Sequence, residues 1–336
     1  MDKKIAVVIL NWNGAKLLEQ FLPSIVAYSD EAVIYVADNA STDNSIEIIK
    51  TQFPSIKIIQ NTANFGFAQG YNQALQQVEE EYYALVNSDV EVTQNWLTPI
   101  QSIFENEANI GIIQPKILDY KNKECFEYAG AAGGFLDQYG YPYCRGRIFE
   151  TIEKDHQQYD DDCEIFWASG ACFFIRNEVY RNLNGFDNDF FAHQEEIDLC
   201  WRAFNKGHIA KYISESVVYH VGGATLELEN PKKTKLNFRN SLLMLLKNLP
   251  RKNLYRILFC RLILDGIAGI KFIFQGKVKH FWAVLMAHNF FYSQFSIHYK
   301  KRSDFQSEIY FNTKSIVYLY FIKKIKVFST IFVSTK

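Results

Sequence analysis

Two rhythms of apolar and polar residues alternate over the first hundred positions. Residues 5–10 form a continuous apolar run, as expected of a central parallel strand covered on both faces. Leu17, Leu18, Phe21, Leu22, Ile25 and Val26 then recur at helical spacing. The alternation repeats: a strand over 32–37, a helix carrying Ile46, Ile48 and Ile49 that starts near the N-cap residue Thr42, and a strand over 56–59. A helix over 67–78 and a strand over 82–86 follow. Three β-α repeats predict a parallel sheet with right-handed crossovers.

Farther along, 95–107 reads as a helix and 110–117 as a strand. Over 125–162 the rhythm breaks at Gly130, Gly133, Gly134 and Gly140, and the acidic stretch of Asp155 and Asp160 to Asp162 follows. No element is assigned there. Residues 165–175 read as two short strands about Ser169-Gly170. A helix over 195–205 stops at Gly207, and 217–221 is the last strand. Beyond Pro231 the pattern turns helical, basic and aromatic. The expected organisation is an α/β domain over 1–230 and a basic helical region over 231–336.

Charge sharpens that division. The whole chain has a net charge of −1, yet residues 231–336 hold 20 Lys and Arg against 3 Asp and Glu. An acidic body with a basic tail suggests that the tail meets a polyanion. The chain is 48% apolar and 16% aromatic, so it can bury a core and is not a disordered composition. Its six cysteines form no C-x-x-C pair and no zinc-ligand spacing, which favours reduced thiols and a cytoplasmic protein. The apolar run at 5–10 is too short for a signal-peptide core, and no run of about 18 apolar residues predicts a spanning helix.

The candidate chemistry sits at strand ends. Open α/β sheets bind ligands at the carboxyl ends of their strands. Asn11-Trp12-Asn13-Gly14, Asp38-Asn39-Ala40-Ser41-Thr42-Asp43 and Asn87-Ser88-Asp89 all lie at such ends. Turn formation and capping account for part of this composition. Asp38 comes too early to be a cap and can accept hydrogen bonds from a base or ribose. Gly66, in Asn64-Phe65-Gly66-Phe67-Ala68, permits a close backbone approach. Asp89 suits Mg²⁺ or Mn²⁺, which takes one or two carboxylates plus substrate phosphates. Glu195, Glu196 and Asp198 crowd a helix N-terminus, where the macrodipole favours them. The apolar Phe190-Phe191-Ala192 upstream suggests a pocket wall that raises a carboxyl pKa and makes a general base. Asp198 and Arg202 are spaced to pair. His220 ends the last strand on the same edge as Asp89.

Taken in order, these segments resemble glycosyltransferase family 2, in particular its rhamnosyltransferase-like branch. The matching pieces are Val7 to Asn13, Asp38 to Asp43, Asn64 to Ala68 with Asn72, Asn87-Ser88-Asp89-Val90, Ser169-Gly170-Ala171, Gly185-Phe186-Asp187, Glu195 to Leu199 with Trp201-Arg202, and His220. They span about residues 4–225. The resemblance implies a GT-A (Rossmann-like) fold, a nucleotide-sugar donor, a divalent metal (Mn²⁺ or Mg²⁺) and inversion at the anomeric carbon. Asp38 matches the acid that reads the nucleoside, and Asn11, Asn39, Gly66, Asn72 and Ser88 complete the donor-binding set. Asp89 matches the last acid of the D-x-D metal motif, with His220 as a further metal ligand. Glu196 matches the catalytic base, with Glu195 as the alternative. Two departures stand out: Asn87 replaces the first acid of D-x-D, and Glu196 stands where the family usually has Asp.

The implied activity is sugar transfer to a glycan or lipid-linked acceptor in cell-surface polysaccharide synthesis. The basic aromatic tail fits an anionic membrane surface, which places the protein peripherally on the inner face of the plasma membrane. The bland reading of the tail is a solvated helical cap on the acidic body. A nucleotidyltransferase is disfavoured because Asn11 to Lys16 is a poor phosphate loop. A non-catalytic nucleotide- or nucleic-acid-binding protein is the remaining alternative, and no nucleic-acid recognition motif is present.

Overall fold

The computed structural model describes residues 3–222 and 230–331. The end of the matched span beyond Gly222 and the last five residues of the tail lie outside the described residues. Four apolar runs become the parallel half of a sheet. They are β1 (Ile5–Asn11), β2 (Ala32–Asp38), β3 (Lys57–Gln60) and β4 (Tyr82–Asn87), in the order β4-β1-β2-β3. Helices α1 (Ala15–Ala27), α2 (Ser45–Gln52) and α3 (Gly66–Ala74) make the connections. Alternation along β1 builds two cores: Val7 and Ile9 face one layer with Leu18 and Leu22, while Ala6 and Val8 face the other with Tyr71.

The remaining chain extends this sheet. After β5 (Val90–Val92) and α4 (Thr98–Asn106) comes β6 (Ile110–Asp119). The unassigned stretch forms a small antiparallel sheet of β7 (Gly134–Leu136), β8 (Pro142–Cys144), β9 (Arg147–Ile148) and β10 (Thr151–Ile152). Then come β11 (Cys163–Ile165), β12 (Cys172–Arg176), α5 (Asn177–Asn182), α6 (Glu195–Asn205) and β13 (Ile209–His220). The large sheet runs β11-β13-β6-β12-β4-β1-β2-β3, with β5 paired to β13. Strand β12 runs antiparallel between β4 and β6, while β6 and β13 pair in parallel. This is the expected mostly parallel α/β sheet flanked by helices.

Several expected boundaries move. Helix α2 begins at Ser45 rather than near Thr42, because the Asp43 carboxylate takes the amides of Ser45 and Ala15 at 3.1 and 3.0 Å. The two strands expected within 165–175 are β11, which ends at Ile165, and β12, which begins at Cys172; Trp167 makes only an isolated bridge to Gly134. The last strand is twelve residues long. A register irregularity between Ile213 and Val217 lets the polar Ser214 to Ser216 interrupt its apolar pattern without ending it.

Helices α7 (Pro231–Asn248), α8 (Leu254–Phe274), α9 (Val278–Lys300), α10 (Ile316–Phe321) and α11 (Phe328–Ile331) form the C-terminal region. Asn230 caps α7 by accepting the Lys232 amide at 2.9 Å. Helix α7 is no solvated cap: Leu242 to Leu246 are fully buried in the same core as α6. All six cysteines are free.

Candidate active site

Register brings the first strand ends level. Asn11 pairs with Asp38, and Leu10 with Asn87. At this edge the side chains bond to one another. Asn11 donates to Asp38 at 2.9 Å and to Ser41 at 3.2 Å. Asp38 also accepts the Ser41 amide at 2.9 Å and hydroxyl at 2.5 Å, across a turn in which Ala40 has φ +57°. Asn39 donates to the Gly66 carbonyl at 2.9 Å and accepts from Asn61 at 2.7 Å. One buried atom is left over: Asn11 Oδ1 has no partner. A Cβ on Gly14 would reach within 2.4 Å of that atom and 3.8 Å of Ser88 Oγ, so Asn11, Gly14 and Ser88 share one corner.

Gly66 has φ +72°, and a Cβ there would collide with the Phe191 ring and carbonyl at 2.7 Å. The helix α3 therefore starts directly against the loop that leads into α6. The Asn72 amide is taken up by that loop as well. It donates to the Phe186 carbonyl at 2.8 Å and to Asn188 at 2.6 Å, and it accepts from Tyr180 and the Phe186 amide.

Asp89 follows β4, and the antiparallel pairing of His220 with Val90 sets His220 beside it. The carboxylate lies 3.2 Å from His220 Nε2, and Glu127 lies 3.2 Å from Nδ1 on the other side of the ring. All three side chains are buried. Burial opposes charge on the imidazole, but the hydrogen bonds and charges of Asp89 and Glu127 outweigh it and raise His220 to about 10. Two carboxylates thus draw positive charge to this spot. A carboxylate oxygen and an imidazole nitrogen are ligands that Mn²⁺ accepts, with diphosphate oxygens to complete the shell. The residues present fit a divalent ion. Glu127 escaped sequence reasoning because it lies in the unassigned stretch and matches no motif.

Asp187, Asp189 and His298 also place ligand atoms within 4.8 Å of one another. There Lys301 bridges both carboxylates at 2.7 and 2.6 Å, and Lys247 takes the other Asp187 oxygen at 2.7 Å. The chain supplies its own cations at that cluster.

The third element is the entry to α6. His193 and Gln194 have φ of +72° and +73°, two consecutive left-handed residues without glycine. Such strain persists only where the surroundings enforce it. Asn240 of α7 enforces it by donating to the Ala192 and His193 carbonyls at 2.9 and 2.7 Å. The side chains of these two residues and of the two glutamates after them are left open: His193 Nε2, Gln194 Oε1, Glu195 Oε2 and Glu196 Oε2 are buried without a partner. Burial pushes Glu196 up to about 7, and burial together with the Glu196 charge raises Glu195 well above the usual carboxylate range. Burial and the nearby Lys233 charge lower His193 to about 4, so its ring is neutral. Asp198, by contrast, is closed off by Arg202, Lys247 and Asn248 at 2.8 to 2.9 Å, and is structural.

These elements meet. The Asn87 amide donates to the Ala171 carbonyl at 2.9 Å. A Cβ on the adjacent Gly170 would lie 3.8 Å from the Glu196 carboxyl carbon. The Glu196 side chain therefore stands next to the end of β4, which leads into Asp89. The structure brings together Asn11, Asp38, Ser88, Asp89, His220 and Glu196, while Asn39, Gly66 and Asn72 tie the surrounding loops.

A family profile described as Glycosyl transferase family 2 matches residues 6–183. An N-acetylglucosaminyl-diphospho-decaprenol L-rhamnosyltransferase of Mycobacterium tuberculosis is 21% identical over 235 residues, covering 66% of this chain and 76% of that protein. The low-salt glycan biosynthesis hexosyltransferase Agl10 of Haloferax volcanii is 22% identical, covering 82% and 87%. Among solved structures, GalNAc-T7 with UDP, GalNAc and Mn²⁺ superposes with a TM-score of 0.58 at 16% identity, over 74% of this chain and 48% of that one. The mannosyltransferase PcManGT of Pyrobaculum calidifontis with GDP-Man and Mn²⁺ gives 0.52 at 13% identity, over 88% and 76%.

Proposed function

The chain belongs to glycosyltransferase family 2 and has a GT-A fold, and from that premise we propose that it is an inverting hexosyl- or rhamnosyltransferase. In this reading it moves a sugar from a nucleoside-diphosphate donor to a hydroxyl of a glycan or lipid-linked acceptor, at a membrane surface. The observation that carries the reading is the buried Glu195 with the half-buried Glu196, each with one buried, unpartnered oxygen, beside the strand end that bears Asp89.

Asp38, with Asn11 and Ser88 nearby, faces the nucleoside end of the donor. Asp89 and His220 would hold a Mn²⁺ or Mg²⁺ ion, which when bound supplies positive charge to the leaving diphosphate. Glu127, 3.2 Å from Nδ1 on the far side of the His220 ring, would position that ring by charge, with Nε2 turned toward Asp89 and the ion. Glu196 accepts the proton of the attacking acceptor hydroxyl. A pKa near 7 makes it basic enough for that proton while leaving about half of it ionised at neutral pH. Glu195 is more deeply buried, and burial together with the Glu196 charge raises its carboxyl well above the usual range. Attack from the face opposite the departing diphosphate, in one displacement, inverts the anomeric carbon. The mycobacterial relative is named for a lipid-diphosphate acceptor, and an acceptor of that class suits a membrane-facing tail here.

The test is donor binding and transfer measured together. Thermal shifts with UDP, dTDP and GDP, each with and without Mn²⁺, identify the base. Glu196→Gln is expected to keep the shift and lose transfer. Full transfer by that variant would remove Glu196 as the base, and no shift with any nucleotide would overturn the donor site.

A further inference from the structure

Among the described residues, five exposed large apolar side chains lie before position 250 and nineteen after it. Thirteen of those nineteen belong to the α8–α9 hairpin, a concentration that scattered surface apolar residues do not produce. Along α8, Tyr255, Phe259, Ile263, Ile267, Ile270 and Phe274 are exposed. At 100° per residue they fall within about a third of the helix circumference. On α9, Val278, Trp282, Leu285 and Met286 continue the surface.

The sequence places charges inside this apolar stretch, but the fold takes them off its surface. Arg261 and Asp265 are buried, paired at 3.1 Å and turned toward the body. Arg261 also donates to Ser241 at 2.7 Å and lies 3.7 Å from the centre of the Tyr141 ring. Asp265 is the one acidic residue between positions 254 and 300, so the outer face carries no carboxylate. Exposed bases stand at both ends: Arg251, Lys252, Arg256 and Lys300 at one, Lys271 and Lys279 at the other. No helix among the described residues is long and apolar enough to cross a membrane.

We infer that the outer face of the α8–α9 hairpin seats on an anionic lipid bilayer, lying along its surface rather than through it. Apolar side chains sink to the acyl boundary and the bases at both ends meet lipid phosphates. Charge favours this occupant over a second copy seated through the same face, which would bring the same bases and no exposed carboxylate. The hairpin is fixed to the enzyme rather than tethered. Arg261 ties α8 to α7, the Thr234 hydroxyl lies 2.8 Å from His280 of α9, and α7 in turn clamps the entry to α6. The bilayer therefore sets the height and tilt of the Glu196 corner. Its value to the enzyme, delivery of a lipid-linked acceptor, rests on the glycosyltransferase reading; the surface itself does not.

The experiment uses the full chain with phosphatidylcholine vesicles, with and without phosphatidylglycerol, and scores flotation. Ile263→Asp with Ile267→Asp tests the apolar stripe, and Lys271→Glu with Lys279→Glu tests the charge. All four positions are exposed, and circular dichroism checks that each variant folds. The wild type is expected to float with phosphatidylglycerol vesicles, and each double variant to bind about tenfold more weakly or worse. Unchanged flotation of the Asp variant overturns the assignment. So does a wild type that ignores vesicles but is a dimer by light scattering and becomes monomeric in the Asp variant, which would make the face a self-interface. Transfer to a soluble acceptor should survive in the Asp variant. If the wild type floats yet transfers nothing, the functional reading fails while the surface stands.

Discussion

The two halves of the candidate site manage their polar atoms in opposite ways. At the donor edge, Asn11, Asp38, Asn39, Ser41 and Asn61 close a network among themselves, with one buried oxygen left over. At the entry to α6, four consecutive side chains, the first two on strained residues, bury atoms without partners. A buried polar atom without a partner costs about 1–3 kcal/mol. A stretch that carries several of them is stable only because the rest of the fold holds it. The donor edge is shaped before a ligand comes; the α6 entry is left open for one.

The sharpest way to break this comparison is Glu196→Gln. If the open corner carries the chemistry, kcat falls by about 10²- to 10⁴-fold with nucleotide affinity intact. A small loss would mean that the open atoms are merely tolerated. Next comes Glu127→Ala, which leaves Asp89 and His220 in place and removes the carboxylate on the far side of the ring. Mn²⁺ affinity, read by calorimetry without donor, is expected to drop about 10- to 100-fold. Unaltered Mn²⁺ affinity would make Glu127 a bystander.

The pH profile is gentler. Because Glu196 acts deprotonated and its pKa is raised to about 7, the rate should climb through neutral pH and level off above it. In Glu196→Gln the residual rate should be flat over that range. The same shift has a cost in stability. The folded protein holds a proton that the unfolded chain has already lost, so between the ordinary carboxylate range and pH 7 stability should fall as pH rises. Thermal melts of wild type and Glu196→Gln over that range should show a shallower slope in the variant, where the raised carboxyls of Glu195 and Asp137 still contribute. The smallest effect is expected on the closed side. Asn72→Ala should lower stability by about 1–3 kcal/mol, through the bonds it loses to Phe186 and Asn188, with little change in nucleotide affinity. A large loss of affinity at unchanged stability would put Asn72 among the ligand contacts.

Much of this was legible in the chain. Strands buried on both faces must be continuous apolar runs, so β1, β2 and β4 announce themselves, and the polar residues after them mark the ligand edge. Local competition blurred the start of α2, where Asp43 captured amides that a Thr42 cap would have taken. Glu127 was not legible, since a single carboxylate in a glycine-rich stretch gains meaning only when β6 and β13 bring it to His220. The role of α7 was hidden for another reason. Its bases were counted as surface charge, whereas Asn240, Lys247 and Asn248 share one buried face, a spacing of seven and eight residues that the overall composition drowned out.

The sealed carboxylate of Asp198 has a consequence for the order of events during synthesis. Its partners Lys247 and Asn248 are made some fifty residues after it, and Asn240, which holds the strained entry to α6, comes only slightly earlier. A ribosome that has released the first two hundred residues has delivered all of β1 to β4 and both candidate bases, but not Lys247 and Asn248, which close off the buried acid just after those bases. The nucleotide half can condense while the catalytic half waits. Competence for transfer is among the last properties the nascent chain acquires, and it arrives with the same stretch of chain that leads into the apolar hairpin.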